Sequence, residues 1–212
     1  MNSLSIAMAI RRNPLLRWIS DVEARHEYRR WQRDSSNGTG AVPALVKRRA
    51  LLAAYAGGPC TAFVETGTFL GDTTYQFARR GVPTISIEVA PVLAAGARQR
   101  FAPYPNVRIL QGDSGEILGD VVPGLVGPAL FWLDGHYSGG PTGMAGLQTP
   151  VVAEVATIVA NAKSGSIVYV DDARCFGTLP DYPPLDEFVA SLVGRGTGQP
   201  IVEHDSIRFT VG

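Results

Sequence analysis

The chain has little of what would point to a disulfide scaffold, a redox centre or a thiolate metal site. It contains two cysteines in 212 residues, Cys60 and Cys175. Their separation fits no metal-ligand or redox spacing, and nothing demands an oxidising compartment. Histidine is scarce too, at three residues. No run reaches the roughly 18 apolar residues that a membrane-spanning helix needs. The apolar run at 6–10 precedes Arg11 and Arg12, whereas a secretory signal carries its positive charge first. A charge surplus is also missing, because 19 basic and 19 acidic residues cancel. A general nucleic-acid binder would be more basic. These absences predict a cytoplasmic protein with neither a membrane nor a nucleic-acid partner.

Hydrophobic residues make up 45% of the chain and charged residues 18%, which is enough for a packed core and too little charge for disorder. The 24 glycines and 15 prolines predict many shaped loops rather than a helical bundle. Charge is unevenly spread: residues 1–50 hold ten Lys/Arg against four Asp/Glu. A basic helical arm, 1–45, therefore precedes a mildly acidic domain, 46–212. Within the arm, Pro14 suits a first helical turn, and Leu15, Leu16, Ile19, Val22 and His26 follow at helical spacing over 14–33. Residues 34–40 read as a turn-rich linker, and 43–56 as a second helix closed by Gly57, Gly58 and Pro59.

Beyond residue 60 the texture changes. Apolar runs at 62–65, 84–88, 107–111, 129–134 and 167–172 alternate with helix-length segments at 72–80, 91–101, 114–120 and 150–162. Continuous apolar strands separated by helices predict a parallel sheet covered on both faces. After a helix at 184–193, runs at 200–203 and 206–211 lie close enough for an antiparallel hairpin at one edge. The expected fold is a doubly wound, Rossmann-like α/β sheet of about seven strands.

In such a sheet, ligands bind outside the carboxyl ends of the strands. Four of the five predicted parallel strands end in an acid, and the fifth runs into Gly112 and Asp113. The first tip is Glu65-Thr66-Gly67-Thr68, with Gly71 four residues after Gly67. Gly67 allows a sharp turn, and Gly71 close packing of the next helix. A dinucleotide loop has G-x-G-x-x-G here. An acid before the first glycine repels a pyrophosphate and attracts a sulfonium or an amino group. The loop, with Thr68, thus favours S-adenosylmethionine. Glu88, 21 positions after Gly67, is placed to accept two ribose hydroxyls. Asp113 and Ser114 are candidates for the adenine edge, and Asp113 is equally a helix N-cap.

Three segments carry a resemblance. VETGTFLGDTT at 64–74 resembles the cofactor loop of class I S-adenosylmethionine-dependent methyltransferases. FWLDGHYSGG at 131–140 with VDDAR at 170–174 resembles the metal-dependent macrocin O-methyltransferase family. The likeness spans about 61–172 and leaves the arm unexplained. It implies O-methyl transfer to a hydroxyl of a sugar or natural product. It further implies that acids at the ends of the fourth and fifth strands hold a divalent ion. The residues alone point the same way: Asp134, Asp171 and Asp172 end neighbouring strands about 5 Å apart, and unpaired carboxylates packed together favour a bound cation. An all-oxygen set suits Mg²⁺, with Mn²⁺ or Ca²⁺ as alternatives.

Asp134 or His136 is the candidate base, His136 being equally a structural loop residue. The family pattern has a second acid where this chain has His136. The glycine-rich loop at 138–149 is a candidate lid, and Arg174 and Tyr137 candidate acceptor contacts. Cys175 and the tryptophans Trp18, Trp31 and Trp132 read as packing residues. The arm is placed to close the site or to form a homodimer contact. Two other functions stand beside methyl transfer: a cephalosporin hydroxylase-like protein of the same fold, and a non-catalytic binding module that uses the arm.

Overall fold

A computed structural model describes residues 3–16, 18–34, 42–135, 149–193 and 198–212. Its strands sit where the apolar runs lie: β1 Ala62–Thr66, β2 Thr84–Glu88, β3 Val107–Gln111, β4 Ala129–Leu133, β5 Ile167–Val170, β6 Ile201–Glu203 and β7 Ser206–Thr210. They form one sheet in the order β3-β2-β1-β4-β5-β7-β6. The five strands β1 to β5 are parallel, and β7 runs antiparallel to both β5 and β6. This is the expected mixed sheet, edge hairpin included.

Eight α-helices lie among the described residues: α1 Ser3–Arg12, α2 Trp18–Asp34, α3 Ala44–Gly57, α4 Asp72–Ala78, α5 Pro91–Phe101, α6 Ser114–Val121, α7 Val151–Asn161 and α8 Leu185–Leu192. The arm departs from expectation. Pro14 sits in a turn, and helix precedes it over Ser3–Arg12 as well as following it. Within the apolar stretch at 6–10, Met8 is the residue that docks α1 on α5. There the Met8 methyl lies so close over Gly96 of α5 that a Cβ on Gly96 would overlap it. Trp18 is 61% exposed, so it is not a core residue. Trp132 is buried, and Trp31 stacks on Tyr28 at 6.0 Å between ring centroids.

Side chains alternate across the sheet, so each strand feeds two cores. Phe63, Leu130, Trp132 and Tyr169 pack with Leu51 and Phe77 on the side of α3 and α4. Val64, Phe131, Val168 and Val170 pack with Leu118, Val155, Ile158 and Phe188 on the side of α6, α7 and α8. Both faces being covered explains why the strands read as unbroken apolar runs.

The register sets the carboxyl rim. Thr66 pairs with both Ile87 and Leu133, and Leu133 pairs with Val170. Main-chain bonding continues one residue further. Gly67 N–H donates to Ile87 O (2.9 Å), Asp134 N–H to Thr66 O (3.1 Å) and Asp171 N–H to Leu133 O (2.9 Å). The residues just past β1, β4 and β5 are thereby fixed level with one another by backbone, before any side-chain contact forms.

Phe63 is fully buried and stacks on Phe77 with ring centroids 3.7 Å apart. Phe63→Ala is expected to lower unfolding free energy by about 3–5 kcal/mol, measured by urea denaturation.

Candidate functional site at the carboxyl rim

The loop after β1 turns as its glycines require. Gly67 has φ 79°, and a Cβ there would come within 2.2 Å of Asp134 O. Gly71 has φ 74°, and its Cβ would strike the Phe101 ring at 2.7 Å. Between this loop and the arm lies a cleft of about 420 Å³, whose wall includes Arg11, Glu23 and Arg48 on one side and Glu65, Thr68 and Asp134 on the other. Asp72, in the first turn of α4, ties the two sides together. It accepts from Arg11 Nε at 2.8 Å and from Arg100 Nη1 at 2.9 Å.

Glu65 lines this cleft but is 2% exposed and accepts hydrogen bonds from the Thr74 and Ser86 hydroxyls. Burial pushes its carboxyl up to about 8, against the pull of those two hydroxyls. It is therefore largely neutral at pH 7, and the expectation of a free carboxylate attracting a cation needs correcting. It becomes an anion only when a ligand's positive charge draws the proton off.

Glu88 is buried and turned toward the loop. Its two oxygens accept the backbone N–H of Phe69 (2.7 Å) and of Ala90 (2.9 Å). It shapes the backbone next to Thr68, and any ribose must share its lone pairs with those amides. Burial raises its pKa despite them. Asp113 caps α6 by accepting from Gly115 N–H at 2.8 Å, and Ser114 is buried beside Glu154.

Past β4 and β5, the carboxylate oxygens of Asp134, Asp171 and Asp172 come within 4.8 Å of one another. The predicted trio thus converges. His136, Tyr137 and the loop at 138–148 lie outside the described residues.

The premise that the trio is unpaired needs correction. Lys47, from α3, is 7% exposed and reaches in among them. Its Nζ pairs with Asp171 Oδ1, and lies 3.5 Å from Asp172 Oδ1 and 3.5 Å from Asp205 Oδ2. Arg174 Nη1 is 2.5 Å from Asp172 Oδ1 and also pairs with Asp205. Arg174, read as an acceptor contact, belongs to this network. Burial works against the Lys47 charge, but Asp171, Asp172 and Asp205 outweigh it and raise its pKa. Burial, then Asp134, pushes Asp171 up to about 8 in spite of Lys47.

The sequence reading passed over Lys47, Asp205 and Glu154. Glu154 of α7 is 1% exposed. Burial lifts it to about 7 against hydrogen bonds from Ser114 and Thr66, and the nearby Asp113 and Asp134 add to the rise. A hard cation fits the trio of Asp134, Asp171 and Asp172: every donor is oxygen and the atoms converge. Lys47 and Arg174 supply part of the positive charge, so charge balance by itself does not demand an ion.

No protein-family model matches the chain, and no curated protein matches it. Solved structures do. A methyltransferase from Podospora anserina, PaMTH1, bound to S-adenosylhomocysteine, matches at TM-score 0.59 and 17% identity over 89% of this chain and 87% of that one. The O-methyltransferase TomG of Streptomyces achromogenes, involved in tomaymycin synthesis and bound to S-adenosylmethionine, matches at 0.58 and 20%, covering 89% of each. An O-methyltransferase from Bacillus cereus, bound to S-adenosylhomocysteine, matches at 0.58 and 15% over 92% and 96%. The chain has the class I methyltransferase fold. In that fold the acidic rim, the Gly67 loop and the arm-covered cleft occupy one edge of the sheet.

Two outcomes follow from the buried charges. Lys47→Met strands Asp171 beside Asp134 without its ammonium, and is expected to cost about 3–5 kcal/mol of stability by urea denaturation at neutral pH. For Glu65, the folded pKa of about 8 lies above the ordinary 4.5. The unfolded chain ionises first as pH rises, so stability contributed by the neutral form is complete below about 4.5 and lost toward about 8. Glu65→Gln should flatten this fall by a few kcal/mol, on the order of what such a shift carries, read from unfolding midpoints across that window.

Proposed function

We propose that the chain is an S-adenosylmethionine-dependent O-methyltransferase acting on a hydroxyl of a small molecule, of sugar or natural-product type, with a divalent cation at the rim. The observation that carries this reading is the cleft between the Gly67 loop and the arm, with Asp134 in its wall. The ligands named for the solved neighbours, S-adenosylmethionine and S-adenosylhomocysteine, support it.

The roles follow from position. Gly67 brings backbone close to the cofactor, and Thr68 and Glu88 shape that wall. Thr68 Oγ1 is 2.6 Å from Ser86 Oγ, which in turn donates to Glu65. A cation entering beside Glu65 meets a carboxyl that ionises on contact, so the positive sulfonium is favoured over its neutral product. When bound, the cofactor supplies an electrophilic methyl group. Asp134, on the rim between Glu65 and Asp171, is placed to accept the acceptor's hydroxyl proton. A divalent ion held by the acids past β4 and β5 would lower that hydroxyl's pKa. Lys47 and Arg174 hold the β5 acids in position. The arm residues Arg11 and Glu23, with Arg48 of α3, line the cleft and would exclude water from the transfer.

Calorimetric titration with S-adenosylmethionine, with and without Mg²⁺, tests the reading, and absence of binding in both conditions overturns it. Asp134→Asn is expected to lower kcat by about 100-fold or more while leaving cofactor affinity within a few-fold. A loss confined to KM would remove Asp134 from the role of base.

A further inference from the structure

Asp205 stands at the tip of the edge hairpin, in a two-residue turn between β6 and β7. Glu203 pairs with Ser206 across that turn. Both turn residues are left-handed, His204 at φ 53° and Asp205 at φ 59°. A tight hairpin needs two such residues in a row, and asparagine or glycine usually supplies them. Here the turn carries an acid instead and delivers it to the rim, where the Asp205 side chain is 8% exposed. Its Oδ1 accepts the Arg174 N–H at 3.0 Å, and its main-chain oxygen accepts the Ala173 N–H at 2.9 Å. The hairpin thereby grips the segment after β5 and fixes one more carboxylate beside Asp171 and Asp172.

Lys47 is the side chain for which this matters. Its Nζ pairs with Asp171 Oδ1, an oxygen that also accepts the Asp172 N–H at 2.7 Å and the Ser206 hydroxyl at 3.4 Å. The same Nζ lies 3.5 Å from Asp205 Oδ2. Two carboxylates on different elements thus flank one ammonium, and a small swing of its flexible stem exchanges them. A divalent ion drawn to Asp134, Asp171 and Asp172 repels an ammonium among the same groups. The Lys47 side chain is 7% exposed, so it has no water to move into, and a buried ammonium without a carboxylate is costly. Arg174 differs, because its side chain is 43% exposed and water can meet it. Charge also favours keeping Lys47 at the rim. Asp134, Asp171, Asp172 and Asp205 face Lys47 and Arg174. Fully ionised, this set carries two negative charges in excess, the amount one divalent ion balances.

We propose that Asp205 is a positioning residue that takes over the Lys47 ammonium from Asp171 when a divalent ion binds Asp134, Asp171 and Asp172. The inference rests on the reading that the rim binds such an ion, and it adds how the resident cation makes way. In the ion-free chain Lys47 holds Asp171. In the ion-bound chain Asp205 holds Lys47.

The first test follows Lys47 itself. Lys47 and Lys163 are the chain's two lysines, and Lys163 is exposed, so nuclear magnetic resonance of the labelled full chain separates the two ammonium groups. Scalar coupling across the hydrogen bond identifies the carboxyl partner of Nζ. It is expected to join Nζ to the Asp171 carboxyl carbon without metal and to that of Asp205 at saturating Mg²⁺. A coupling that stays with Asp171, or that vanishes without reaching Asp205, overturns the inference.

The second test is Mn²⁺ binding by electron paramagnetic resonance, with no acceptor present and each variant checked for folding by circular dichroism. Asparagine tolerates left-handed backbone, so Asp205→Asn keeps the hairpin. It is expected to weaken Mn²⁺ binding by at least about tenfold, the scale of losing a group that positions metal ligands. Arg174→Ala should stay within a few-fold of wild type. Unchanged affinity in Asp205→Asn overturns the inference and leaves the metal reading standing. An equal loss in Arg174→Ala does the same, because Asp205 then acts only by gripping the segment after β5. No Mn²⁺ binding by wild type, with or without S-adenosylmethionine, removes the metal reading and the inference together.

Discussion

Lys47 is the group on which the rim depends. The backbone ladder sets the residues after β1, β4 and β5 level with one another, and that alone forces Asp134 next to Asp171. Two carboxylates at such range repel, the more so because Asp171 is buried. The ammonium of Lys47, delivered from a helix that precedes the whole sheet, stands against Asp171 and within reach of Asp172 and Asp205. Helix α3 therefore does two jobs. Leu51 fills the core against Phe63 and Phe77, and one turn earlier Lys47 compensates the strand ends. The spacing of four residues puts both on one helix face.

Compensation is incomplete, and this gives the rim its chemistry. Burial holds Glu65 near 8 and Glu154 near 7, so the folded chain keeps protons that an incoming cation would displace. Any ligand that binds only the folded chain also stabilises it by mass action. A positive ligand gains twice here, from its own contacts and from relieving carboxyls that burial has kept neutral. The same property opposes anions, which is why the Glu65 loop differs from a phosphate-binding loop built on helix N-termini.

Sequence reasoning read the sheet well because its signals are local. Five apolar runs with acids or glycine at their ends give the strands to within a residue or two, and the positive φ of Gly67 and Gly71 follows from where they stand. It read Asp134, Asp171 and Asp172 as converging, since neighbouring parallel strands leave little choice. It could not see which groups answer them. Lys47 hides among Arg48 and Arg49 in what looks like a basic surface, and only the phase of the helix, with Leu51 four residues on, turns it inward. Glu154 left a better trace: it is the sole charge in VVAEVATIVAN, on the stripe of Val151, Val155 and Ile158. An acid alone on an apolar face is a buried acid, and buried acids need a reason. Glu88 shows the opposite limit. Its position was legible, but its capture by the Phe69 and Ala90 amides depends on loop path, which no spacing encodes.

The arm is where fold-level likeness stops informing function. Its charge reads as basic in sequence, yet the part lining the cleft sets Arg11 beside Glu23 and Glu27, with Arg48 of α3 next to them. Arg11 is further spent on Asp72. A surface meant for a polyanion would keep its cations free and its carboxylates away. A mixed wall instead matches a small polar acceptor, whose hydroxyls both donate and accept. The anchoring of α1 also bears on this. Met8 packs over Gly96, and Arg11 and Arg100 share Asp72, so the wall of the cleft is tied to α5 and to the first turn of α4. On the proposed reading, selectivity for the acceptor would be set by the same contacts that hold the Gly67 loop.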